Sequence, residues 1–252
     1  MLSLHQTVAI AKNEWKIICS DPSIYAVLVL MPLVVMFFFS SPLEGSSGIS
    51  AYRGVNHTVP GLTAMFALLF MSSVGAMFFR EHGWSTWFRL RLVVKNDYSI
   101  VFGKTFPLLC LCFTQIAATY TLGALMLGLP LVQNLLSQMV IHLVLACCVV
   151  SMGLVLASLC RTVMQTSSIS QVLTLLLGGI GGSFTPYELL PEYIKPIAPL
   201  SPVYWAISAY QKNNSGESFP TLELVILTCI TLVCVTIFLK TLDYKEPKVY
   251  WS

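Results

Sequence analysis

The chain has 252 residues, of which 56% are apolar and only 10% charged, with a mean hydropathy of +0.78. That balance excludes an ordinary soluble domain. A formal net charge of +3 is too small to describe a nucleic-acid binder, and the basic residues are explained by where they fall along the chain. The composition predicts an all-α integral membrane protein, because helices satisfy their own backbone while crossing about 30 Å of hydrocarbon.

The first twenty-two residues predict a helix that lies on the membrane and does not cross it. Leu4, Val8, Ala11, Trp15 and Ile18 recur at steps of four and three and form one apolar stripe, while His5, Lys12 and Lys16 fall on another face. Such a helix rests in the inner membrane surface with its lysines among lipid headgroups. Asp21-Pro22 ends it and turns the chain into the bilayer. With no A-x-A site after the first apolar run, the segment does not read as a cleavable signal.

Six spans follow, at 23–41, 60–79, 105–128, 136–160, 164–185 and 222–241. An even number places both termini on one side, and the basic residues choose that side. With the termini inside, the inner segments hold Lys12, Lys16, Arg80, Arg89, Arg91, Lys95, Lys104, Arg161, Lys240, Lys245 and Lys248. The outer loops hold only Arg53, Lys195 and Lys212. Eleven against three orients the protein with its termini in the cytoplasm.

The inside loop at 79–104, "FREHGWSTWFRLRLVVKNDYSIVFGK", is too long for a simple connection. Its end, "FGKT" at Phe102 to Thr105, imitates a phosphate-binding loop, but the first glycine of that motif is replaced by Tyr98 and no soluble strand precedes it. No nucleotide site is predicted. The cysteines lie in or at the ends of spans, apart from Cys19 on the inside, so no external disulfide framework is expected. Cys110 and Cys112 point to different helix faces, and no metal site is expected. Asn56 and Asn213 begin N-x-S/T sequons that read as chance.

The spans carry no Asp, Glu, Lys or Arg in their middles, which removes support for a proton relay. Candidates to line a path are Thr114, Gln115 and Thr119 on the third span, His142 on the fourth, and Gln165, Ser168 and Gln171 on the fifth. The alternative role for such residues is interhelical hydrogen bonding. After the fifth span comes "GGIGGSFTPYELLPEYIKPIAPLSPVYW", 178–205. Gly178, Gly179, Gly181 and Gly182 permit close helix approach, with Gly178 and Gly182 as a small-x-x-x-small pair. Pro186, Pro191, Pro196, Pro199 and Pro202 forbid one continuous helix.

The order of these features resembles the type-2 permease family of ATP-binding cassette exporters. The resemblance rests on the interfacial helix before six spans, "R-E-x-G" opening the inside loop and "GK" closing it at Gly103 and Lys104. It continues in the Gly-rich fifth span running into "F-x-P-x-E-L-L-P-E" and "L-S-P-V-Y-W". It covers nearly the whole chain and implies a single permease domain over 1–252, with a cytoplasmic coupling loop at 80–104 and an outer re-entrant segment at 186–205. In that resemblance Arg80, Glu81, Gly83, Trp87, Arg89 and Arg91 transmit force from the ATPase, and Gly178, Gly182, Phe184, Pro186, Glu188 and Pro191 form an outer gate. The implied function is export of an amphiphilic substrate, such as a drug, an antibiotic peptide or a lipid-linked molecule, by alternating access. The implied partners are two copies of an ATPase subunit, which bind the ATP and Mg, and a second permease, identical or a sister. The implied setting is a bacterial inner membrane. No cofactor and no catalytic residue is expected in this chain, and the competing class is a nucleotide-independent channel or structural membrane protein.

Overall fold

The structure, a computed structural model, describes residues 4–20, 23–40, 48–83, 97–129, 135–216 and 219–241. All its long elements are helices: α1 (Leu4–Ser20), α2 (Ser23–Ser40), α3 (Gly48–Leu68), α4 (Phe70–Gly83), α5 (Asp97–Met126), α6 (Leu135–Leu159), α7 (Val163–Ile180), α8 (Pro202–Asn214) and α9 (Thr221–Thr241). Two single 3-10 turns, Tyr187–Leu189 and Ala198–Leu200, interrupt the stretch between α7 and α8.

Among the described residues, five helical stretches are long and apolar enough to cross a membrane: Gly54–Arg80, Ser99–Met126, Leu135–Leu159, Val163–Ile180 and Thr221–Thr241. A sixth follows if the bent pair Gln6–Ser20 and Tyr25–Phe39 is one broken span. The 58° bend between them falls beside Asp21-Pro22, where the sequence predicts the turn. The first long stretch is α3 and α4 run together, with a turn at Leu69 whose N–H reaches Phe66 O at 3.2 Å.

α6 is the axial helix. It is packed by α4, α5, α8 and α9, so most of its middle is buried, including Ile141, Leu145, Cys148, Val149, Val150 and Leu154, while Leu136, Met139 and Leu143 stay exposed. A helix that is apolar all round belongs in such a position. α2 and α9 turn much of their apolar surface outward, as in Val27, Leu30, Val34 and Phe38 on α2 and Val225, Leu232 and Val233 on α9. In a bilayer that surface meets lipid.

Three boundaries differ from those the sequence predicts, each for a tertiary reason. The second span was expected to begin near residue 60, yet α3 begins at Gly48, because Asn56 and His57 find polar partners in the fold. Helices intrude on the predicted loop at 80–104 from both sides, to Gly83 and from Asp97. The fifth span was expected to reach residue 185, yet α7 stops at Ile180.

Candidate functional site

At the end of the bundle that carries α1, one carboxylate joins three helices. Glu14 on α1 is 1% exposed, and its Oε1 accepts a hydrogen bond of 2.7 Å from Lys104 Nζ on α5, which is itself 1% exposed. Its other oxygen is bonded to Arg80 on α4. A carboxylate removed from water needs both charge and donors to be tolerable, and the two cations supply both. The neighbouring contact is steric. A Cβ on Gly103 would lie 2.9 Å from Ile10 and 3.0 Å from the Thr7 carbonyl, so the absence of a side chain lets α1 lie directly on α5. "GK" at 103–104 is therefore one docking device for α1, half shape and half charge. The phosphate-loop likeness has no structural counterpart, since both residues sit inside a continuous helix.

Arg80 is the one predicted coupling residue whose side chain is described. Glu81 and Gly83 complete the last turn of α4, while Trp87, Arg89 and Arg91 lie outside the described residues. The two helices that flank this loop are the two whose cations hold Glu14. The sequence reading passed over Glu14 because an acid on an amphipathic helix looks like surface. Its separation from Lys104 by 90 positions leaves no local signal.

Around α8 lies a buried polar chain. Asn213 Nδ2 donates to Gln138 Oε1 at 2.7 Å, Gln138 Nε2 lies 3.5 Å from His142 Nε2, and His142 Nδ1 lies 2.8 Å from the Tyr210 hydroxyl. With the Gln138 amide donating toward Nε2, neutral His142 carries its proton on Nδ1 and donates to Tyr210. Tyr210 stacks on Tyr120 at 4.9 Å, and the Tyr120 hydroxyl donates to Asn214 Oδ1 at 2.8 Å. Asn214 Nδ2 then donates to Asn56 Oδ1 at 2.7 Å. Four helices, α3, α5, α6 and α8, meet through this chain. Both sequon asparagines are buried, and Asn213 already spends its amide on Gln138.

The seven path candidates do not converge, and Thr119 is buried on α5. His142 and Gln115 are interior, the latter donating from Nε2 to the Leu28 carbonyl of α2 at 3.4 Å. Thr114 faces outward and returns its hydroxyl to its own helix at Leu111 O, and Gln171 is exposed on α7. Gln165 and Ser168 share that outward side of α7 with Gln171. An amide-bearing face on the outside of an apolar helix is costly against lipid.

The break after the fifth span has a definite geometry. Gly182 has φ of +83°, its N–H bonds to Gly179 O at 3.2 Å, and the N–H of Ser183 bonds to Gly178 O at 2.9 Å. This pair of bonds around a left-handed glycine is a Schellman terminus, which stops a helix and satisfies its last carbonyls. Gly182 thus serves as a turn residue and not as half of a helix-contact pair. Gly178 does serve close approach, since a Cβ there would lie 2.5 Å from Met65 on α3, whereas Gly179 faces open space. On α3 the matching residue is Gly61, where a Cβ would lie 2.6 Å from the Ser183 carbonyl.

Ser201 joins the two ends of the outer segment. Its hydroxyl donates to Leu177 O on α7 at 2.7 Å and caps α8 by accepting from Val203 N at 3.2 Å, with Pro202 opening α8 where its missing N–H is harmless. Phe184 reaches α2, its ring 5.7 Å from Phe39. Pro186 caps the first 3-10 turn, and Pro191 O accepts from Ile194 N at 2.9 Å. Beneath these residues lies a polar cavity of about 160 Å³, lined by His57, Tyr187, Glu188, Tyr204, Ser208 and Gln211. Among the predicted gate residues only Glu188 and Gly182 line it.

A bundle whose long apolar helices surround a buried charged hub is an all-α membrane protein. The chain belongs to the ABC-2 type transporter family, whose membrane-domain model matches residues 5–214. It is accordingly a permease subunit of an ABC transporter, of a kind that works with an ABC ATPase partner. No curated protein matches the chain as a relative.

Proposed function

We propose that this permease subunit forms an ATP-driven exporter with two copies of an ATPase subunit and a second permease, moving an amphiphilic substrate out of the cytoplasm or inner leaflet of a bacterial inner membrane. The observation that carries the reading is the Glu14 hub. Because Arg80 and Lys104 flank the inside loop and grip the same carboxylate, a push delivered at that loop moves α1, α4 and α5 together. Arg80, Glu81, Gly83, Trp87, Arg89 and Arg91 form the contact region for the ATPase, whose own site holds ATP and Mg.

The outer segment closes the path from the other side. α8 buries Val203, Ala206, Ile207 and Tyr210, and Tyr210 meets His142, seven residues from the start of α6. At 1.5 Å per residue that is about 10 Å along the helix, which supports a segment that dips back among the spans. The exposed Gln165, Ser168 and Gln171 give α7 a face suited to a second permease or a wet path between two copies.

The test is ATP hydrolysis by the assembled complex. Glu81→Ala and Arg89→Glu lower substrate-stimulated hydrolysis while membrane insertion stays normal. Unchanged stimulation in both variants removes the coupling role from this loop.

A further inference from the structure

The outward side of α1 and the flank of α5 beside it enclose an open groove of about 550 Å³, lined by Val8, Ala11, Lys12, Trp15, Phe102 and Phe106. That volume is within the range of small-molecule sites, about 300–1,000 Å³. Its walls are apolar except at Thr7 and Lys12. Trp15, Phe102 and Phe106 are 47%, 57% and 64% exposed, large rings left uncovered by the fold. The sequence reading placed Lys12 on a different face from the apolar stripe, yet it borders the same groove as Val8, Ala11 and Trp15.

α1 therefore has two working faces. Ile10 and Glu14 are spent on Gly103, Lys104 and Arg80, and Trp15 and Lys12 look the other way. Among the described residues Lys12 has no carboxylate partner. Its groove lies where α5 enters its membrane-crossing stretch at Ser99, so hydrocarbon stands beside the rings. An indole and an ammonium above an apolar trough match the layering of a phospholipid, headgroup over chain.

We infer that this groove binds one anionic phospholipid of the inner leaflet, its phosphate at Lys12 and an acyl chain along Trp15, Phe102 and Phe106. The inference rests on the inward placement of α1 in the proposed function. A bound lipid would brace α1 from the side opposite the Glu14 hub, making the lipid a positive regulator of coupling.

Native mass spectrometry of the purified full chain, given phosphatidylglycerol or phosphatidylcholine, tests it. The wild type retains one phosphatidylglycerol, with about fivefold preference over phosphatidylcholine, the factor expected of one basic residue near a lipid phosphate. Lys12→Glu abolishes the preference, and Lys12→Gln does so if the charge reversal misfolds. Ala11→Trp, which fills the groove, lowers retention of both lipids. Lys195→Glu, in the outer segment, leaves both unchanged. Equal retention of the two lipids by the wild type, an undiminished preference in the Lys12 variants, or a protein dimer lost in Ala11→Trp with lipid retention unaltered overturns the inference. Neither hydrolysis nor transport enters the readout, so its failure leaves the exporter proposal standing, and failure of that proposal leaves the lipid count unaffected.

Discussion

Tyr210 on α8 is wholly buried, and its hydroxyl lies 2.8 Å from His142 Nδ1 on α6. The contact is a structural bond between α8 and the axial helix α6, with both groups occupied and neither opening to solvent. Tyr210→Phe removes the acceptor of the His142 proton. It should lower the melting temperature of the purified protein, with a stability loss of about 1 kcal/mol, the level of interhelical hydrogen bonds in membrane proteins. Adding His142→Leu to Tyr210→Phe should cost less than the sum of the single changes. Strict additivity would show that the two side chains do not interact.

The Glu14 hub predicts an asymmetric result. Glu14→Gln deprives Lys104, buried in α5, of a charged partner, and breaking one side of a buried ion pair costs about 3 kcal/mol. Poor yield and low thermal stability are expected. Glu14→Leu combined with Lys104→Met should recover part of the yield, since the wholly buried cation leaves with its carboxylate, while Arg80, 16% exposed, loses only one of its partners. Recovery of yield by Glu14→Gln alone, without the second change, would contradict the hub.

Three glycines separate three kinds of constraint. Gly61→Ala drives a methyl into the Ser183 backbone and should be the most damaging, at about 1–3 kcal/mol for overpacking. Gly182→Ala forces a left-handed conformation on a residue with a side chain and should cost about 1–2 kcal/mol. Gly179→Ala faces open space and should be neutral within the isolated subunit. Thermal unfolding of the three proteins decides the order, and equal effects at Gly61 and Gly179 would contradict the packing of α7 on α3.

Topology can be read by chemical labelling. In a background lacking the eight native cysteines, Ser215→Cys at the end of α8 should react with an impermeant thiol reagent added to intact cells, and Lys16→Cys on α1 should not. Labelling of Lys16→Cys from outside would reverse the orientation.

Most of the spans were legible in the sequence because hydrocarbon imposes length and apolarity on each helix independently. The predicted 136–160 and 222–241 differ from Leu135–Leu159 and Thr221–Thr241 by one residue at each end that moved. Legibility failed where polar residues have distant partners. Arg53, Asn56 and His57 looked like loop, but Asn56 is bonded to Asn214, 158 positions away. Glu14 was missed for the same reason. The proline-rich break was found, yet the role of Gly182 was misassigned, since a positive φ leaves no trace in composition. His142 as an interhelical bonding residue was one of the two roles its sequence context left open.

The double use of the Ser201 hydroxyl limits how the outer side can move. A flap hinged at the glycine turn would have to pull the Ser201 hydroxyl, and α8 with it, off the Leu177 carbonyl before it swung, leaving that carbonyl only its bond from Gly181 N–H. α7 and α8 are therefore welded at that corner, and Gly61 against Ser183 adds α3 to the weld. In the proposed exporter, widening at this end tilts these three helices together, about a pivot below the turn where the chain visibly bends.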